Sequence, residues 1–160
     1  MDEFEKNYNR ALRFLSYRPR SEKEISDYLK KKKVSEPVTK EIISKLKEHK
    51  FIDDEEFARI WISQRTKLKP RSLRVIKREL LQKGIEKEKI EELLSAGENE
   101  IPSDFQLAFS LAQKRLKRYQ GLSKQDFFEK MGRFLASKGF NYDVIKEVIS
   151  KIGAEDEIHR

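Results

Sequence analysis

Residues 11–18 read Ala-Leu-Arg-Phe-Leu-Ser-Tyr-Arg, residues 58–65 read Ala-Arg-Ile-Trp-Ile-Ser-Gln-Arg, and residues 108–115 read Ala-Phe-Ser-Leu-Ala-Gln-Lys-Arg. One pattern, A-x-x-Φ-Φ-x-x-R with Φ apolar, therefore occurs three times. Apolar side chains three and four residues apart share one face of an α-helix. A second series follows each copy at offsets of four and five residues: Ile25, Leu29 and Val34, then Ile76, Leu80 and Ile85, then Met131, Leu135 and Phe140. A third closes each copy: Ile42, Ile43 and Leu46, then Ile90, Leu93 and Leu94, then Ile145, Val148 and Ile149. Three stripes in three copies predict an all-α chain of tandem three-helix repeats, over residues 1–50, 51–100 and 101–152, with 153–160 as a frayed tail. A three-helix unit of this size buries little surface alone. The repeats are therefore expected to lean on one another in an elongated, curved array.

The spacing predicts helices over 3–17, 21–32, 36–49, 54–67, 71–82, 87–95, 103–119, 123–138 and 141–152. Capping signals agree. Ser21 with Glu24 and Asp53 with Glu56 have capping-box spacing, and Ser123 with Asp126 is a looser version. Asn141 and Ser35 can open third helices. Gly84 and Gly139 stand where a helix ends on a left-handed residue, a place that Lys33 takes in the first repeat at some steric cost. Phe14, Trp61 and Leu111 occupy equivalent positions, so Trp61 reads as core rather than as a platform for a nucleic-acid base.

Charged residues make up 40% of the 160 positions and apolar ones only 37%, which suits a thin fold with much surface. There is no cysteine, so disulfides and thiolate metal sites are excluded. No apolar run approaches the roughly 20 residues that span a bilayer, and the acidic, charged start is unlike a secretory signal. A cytoplasmic protein that meets no membrane is the expectation.

The net charge of +8 is unevenly spread. No acid lies between Glu56 and Glu79, and the gap holds Arg59, Arg65, Lys67, Lys69, Arg71, Arg74, Lys77 and Arg78. On a helix over 71–82, Arg71, Arg74 and Arg78 lie opposite the apolar stripe Leu73, Ile76 and Leu80, with Lys67, Lys69 and Lys77 extending the basic face. Arginine forks suit phosphates and carboxylates equally well. Arg65, Lys67, Lys69, Arg71, Arg74, Lys77 and Arg78 are thus the candidate binding residues for a polyanion or an acidic protein surface. The repeated Arg18, Arg65 and Arg115 fit either a paired structural role or partner contact.

Nothing in the chain suggests catalysis or a cofactor. His49 ends a predicted helix and His159 lies in the tail, neither beside a catalytic partner in sequence. Phosphate-binding loops, glycine-rich dinucleotide turns and His-Glu metal motifs are absent.

Three stretches carry a family resemblance. Arg18-Pro-Arg20-Ser21-Glu22-Lys23-Glu24-Ile25 resembles the R-x-R-S-x-x-E-[LI] opening of RecX regulatory proteins. Phe51-Ile52-Asp53-Asp54-Glu55-Glu56-Phe57-Ala58 resembles that family's link into its second unit, and the run from Lys69 to Ile85 its most recognisable stretch. The likeness runs from about residue 10 to 152, with Ser72 and Lys33 standing where the family has glycine. It implies three tandem three-helix units and a non-enzymatic modulator, in the main an inhibitor, of the RecA recombinase; a monomer is the expected state. It also implies binding along the groove of the RecA–DNA filament, with single-stranded and in some members double-stranded DNA as a further partner. The competing reading is a stand-alone nucleic-acid-binding protein of helix-turn-helix type. Only the middle repeat has a strongly basic second helix, which weighs against one recognition helix per repeat.

Overall fold

A computed structural model describes residues 2–95 and 101–158. Among them there are nine α-helices and no strand: α1 Glu3–Tyr17, α2 Glu22–Lys31, α3 Glu36–Glu48, α4 Asp54–Lys67, α5 Leu73–Gln82, α6 Lys87–Ser95, α7 Asp104–Arg115, α8 Lys124–Ser137 and α9 Tyr142–Ile158. A 3₁₀ turn, Leu116–Tyr119, ends the stretch expected to continue α7 as regular helix. α9 runs past residue 152, where a tail was expected. Gly153 does not stop it, because good helix formers from Ala154 onward carry the turns forward. His159 lies outside the described residues.

The stripes are the core. Ile25, Leu29, Ile76, Leu80, Met131 and Leu135 are fully buried, as are Ala11, Ala58 and Ala108. The chain forms two compact units. One comprises residues 1–61 with 79–92, and the other residues 62–78 with 93–160. In the first, Ala11, Ile25, Leu29, Val34, Ile42, Leu46 and Ile52 make one cluster. In the second, Leu107, Ala108, Ala112, Met131, Leu135, Phe140, Ile145, Val148 and Ile152 make another, with Leu73 packed against it.

Helix ends follow the sequence closely. Ser21 and Glu24 form the reciprocal capping box, and Ser103 and Gln106 form one that went unread in the sequence. Asp53 accepts from the Glu55 and Glu56 N–H groups, Ser123 from Asp126, and Asn141 from Val144. Ser35 holds the N-cap position of α3 without a side-chain cap bond, and Pro37 in the first turn sets the backbone there. Lys33, Gly84 and Gly139 adopt φ values of 61°, 81° and 97°. Each directly precedes a buried apolar residue that returns to the core.

A long-range joint recurs. The first N–H of α2, from Glu22, donates to Asp54 Oδ1 at 2.8 Å, and the first N–H of α5, from Leu73, donates to Asp104 Oδ1 at 2.8 Å. Asp54 and Asp104 are themselves the first residues of α4 and α7. Each carboxylate therefore satisfies a helix-end donor one repeat away, near the positive ends of two helix dipoles. Beside each joint a glycine lies close against the same helix. A Cβ on Gly84 would stand 2.6 Å from Lys23 Cβ, and one on Gly139 would stand 2.2 Å from Val75 Cγ2.

Candidate functional site

The two units differ sharply in charge. Residues 1–61 with 79–92 carry 18 basic and 18 acidic side chains, while residues 62–78 with 93–160 carry 18 basic and 10 acidic, which is the whole excess of +8. All seven candidate binding residues belong to the second unit.

Lys67 closes α4, whose negative dipole end favours it and Arg65. The chain then turns tightly, with the Leu68 and Lys69 N–H groups both donating to the Gln64 carbonyl and the Arg71 N–H donating to the Arg65 carbonyl at 3.1 Å. Lys67 and Lys69 are exposed on either side of Leu68, itself 73% exposed. Arg65 and Lys77 are half-buried. Arg74 and Arg78 stand exposed on α5, as expected, and the Arg74 guanidinium donates to the Gly139 carbonyl at 3.0 Å.

Arg71 departs from the expectation. α5 starts at Leu73 because buried Ser72 takes the N-cap, accepting from the Val75 N–H at 3.2 Å. Arg71 therefore precedes the helix, half-buried, with its guanidinium on the Pro70 carbonyl at 2.9 Å. The predicted row of three arginines on one helix face is two arginines on α5 and a third in the turn before it.

In the first unit the cations around the start of α2 share one carboxylate. Glu24 pairs with Arg18, with Arg20 at 3.8 Å and with Lys83 at 3.8 Å. Arg20 lies 3.8 Å over the Phe14 ring, which stacks on Tyr28 at 4.2 Å. Burial, and after it the charge of Arg18, lowers the Arg20 pKa against the pull of Glu24. Trp61 is half-buried, stacked on Phe57 at 5.8 Å with Lys83 at 5.5 Å from its ring, so the core reading of this residue holds in part.

In the second unit a comparable group has no such acid among the described residues. Arg115 lies 4.0 Å over the Phe134 ring, and Lys138 Nζ is 5.6 Å from the same ring. The Ser72 N–H donates to the Lys138 carbonyl at 3.2 Å, which seats Arg71 beside them. Burial first, then the charges of Arg71 and Arg115, push the Lys138 ammonium pKa below its ordinary value. Among the described residues Arg71, Arg115 and Lys138 form no ion pair. Arg18 thus proves to be a pairing residue, whereas Arg115 caps an aromatic ring. Sequence reasoning did not find this group: the acid-free run between Asp104 and Asp126 holds Arg115 with Lys114, Lys117, Arg118 and Lys124, but neither Arg71 nor Lys138.

Among the described residues no cluster of His, Cys, Asp or Glu could hold a metal ion, and no helix is long and apolar enough to cross a membrane. The described residues form a helical repeat protein whose net charge is gathered in one unit. Comparison with known proteins makes the class specific. Residues 8–46 match the RecX first three-helix domain, residues 53–94 the second and residues 103–149 the third. The regulatory protein RecX of Bacillus subtilis is 39% identical over 156 residues, covering 98% of this chain and 58% of that protein. Its counterpart in Oceanobacillus iheyensis is 35% identical over 159 residues, covering 99% of this chain and 58% of that protein. The crystal structure of RecX from Lactobacillus salivarius superposes with a TM-score of 0.71 at 30% identity, covering 94% of this chain and 97% of that one. The chain belongs to the RecX family of regulatory proteins. It spans a little under three-fifths of the length of the curated relatives it matches.

Proposed function

We propose that this chain is a non-enzymatic regulator that binds the RecA–DNA filament and suppresses recombinase activity, with Arg65, Lys67, Lys69, Arg71, Arg74, Lys77 and Arg78 as its principal contact residues. The observation that carries the reading is the gathering of the entire excess charge of +8 into one unit of a RecX-family fold. Exposed arginines and lysines on α5 and the α4–α5 turn are suited to phosphates and to partner carboxylates alike. Tandem repeats with boundaries near residues 50 and 100 suit a helical polymer, because similar units can approach successive protomers in similar ways. The cytoplasm is where such a filament forms.

The test is steady-state ATP hydrolysis by RecA on single-stranded DNA with this protein titrated in. Suppression is expected well below one copy per recombinase protomer, and Arg74→Glu with Arg78→Glu is expected to relieve it. Plain competition for DNA would need enough protein to cover the strand, and added DNA would abolish it. That outcome would favour the helix-turn-helix reading, which the acid-free stretch at residues 57–78 supports on its own.

A further inference from the structure

Half-buried cations with no counter-ion cost free energy. Water is partly withdrawn from each charge, the charges repel one another, and where no carboxylate among the described residues pairs with them only weaker contacts offset these effects. The first unit shows the usual solution, with Glu24 set among Arg18, Arg20 and Lys83. The second unit brings Arg71, Arg115 and Lys138 together from a turn, from α7 and from the end of α8, and no acid among the described residues pairs with them. Phe134 holds two of these cations against one ring, so their positions are fixed by packing rather than by a partner charge.

We infer that Arg71, Arg115 and Lys138 form a preorganised oxyanion site that takes a backbone phosphodiester of single-stranded nucleic acid in the place that Glu24 fills in the first unit. Two arginine forks and an ammonium supply directed donors in number. A nucleic acid is favoured over an acidic protein because of what flanks the site. Lys114, Lys117 and Arg118 continue from α7 into the 3₁₀ turn, and Lys67 and Lys69 precede Arg71, with no acid in either run. A long series of cations without intervening acids matches a polymer of evenly repeated negative charge. The inference rests on the proposed function only in placing the protein on DNA, and its test contains no recombinase.

The experiment measures binding of the full chain to a dT20 oligonucleotide by fluorescence anisotropy across a salt series. Arg115→Gln with Lys138→Gln is expected to weaken binding severalfold and to reduce the slope of log K against log salt by about 0.7 for each phosphate left unneutralised. Lys124→Gln with Lys130→Gln removes the same charge from exposed positions of α8 and is expected to change both quantities less. Equal effects in the two double variants would reduce the group to part of a diffuse field and overturn the site. Unchanged DNA binding in the first double variant would overturn it too, leaving a protein carboxylate as the fitting occupant. If the first double variant does not fold, the unaltered protein decides the matter. The Arg115 side-chain Nε–H resonance should shift on adding dT20, and its constancy at saturation would overturn the proposal.

Discussion

Gly139 offers the sharpest test of how the second unit is held together. Its φ is +97°, and an added Cβ would meet Val75 Cγ2 at 2.2 Å and Ser72 Oγ at 2.5 Å. Two penalties therefore add in Gly139→Ala. The left-handed backbone costs an L-residue about 1–2 kcal/mol. Forcing a methyl group into a packed contact costs about 1–3 kcal/mol more, because Val75 and the Ser72 cap of α5 must move. A total of about 2–5 kcal/mol is a large part of a typical domain's stability of about 5–15 kcal/mol. Two other glycines separate the contributions. Gly121 has φ +82° with nothing within 4 Å of a Cβ, so Gly121→Ala carries the backbone penalty alone. Gly132 lies inside α8, where a Cβ would make an ordinary 3.8 Å contact with Ile145, so Gly132→Ala should stabilise by about 0.5–1 kcal/mol. Thermal and urea denaturation should therefore rank the proteins Gly132→Ala, wild type, Gly121→Ala, Gly139→Ala from most to least stable. Equal stability of Gly121→Ala and Gly139→Ala would refute the close approach of the α8 end to the start of α5.

Lys33→Gly should stabilise by up to about 1 kcal/mol, read by the same denaturation, since exposed Lys33 holds φ 61° where glycine is unstrained. Leu80→Ala should cost about 2–5 kcal/mol, because Leu80 is fully buried in the α5 stripe. Burial raises the Asp54 carboxyl pKa above its ordinary value, against the hydrogen bond from Glu22. A raised folded-state pKa means that the stabilisation present at low pH is lost as pH rises through that pKa. Asp54→Asn keeps an oxygen for the Glu22 N–H, so its stability relative to wild type should increase between about pH 3 and about pH 6, as followed by melting at each pH. Lys69→Glu with Arg78→Glu should leave the melting temperature nearly unchanged while flattening the salt dependence of DNA binding, because both side chains are exposed.

The repeat, the helices and most caps were legible because they rest on local spacing. Ile25 and Leu29 are four apart and share a face whatever surrounds them, and a glycine before Ile85 or Phe140 announces a helix end. The Asp54 and Asp104 joints were not legible, since a carboxylate at the start of a helix reads as a favourable dipole partner, and nothing in sequence points to a donor 32 or 31 residues away. Arg71 was put on α5 because the apolar period extends back to it. The period cannot see that buried Ser72 takes the N-cap, so that α5 begins only at Leu73. The group of Arg71, Arg115 and Lys138 was invisible for a further reason. A charge count along the chain finds basic runs, but three cations drawn from separate runs meet only after α7 and α8 have packed and Phe134 lies between them.

The paired joints have a consequence for how such a chain can be built. A first-turn amide and an aspartate one repeat later form the same bond twice, with a neighbouring glycine in the same place each time. The coupling is thus a standard fitting, indifferent to the rest of the segment that bears it. Matching fittings mean that each joint depends on the same few positions in successive segments, so a segment altered elsewhere along its length keeps the bond to its neighbour.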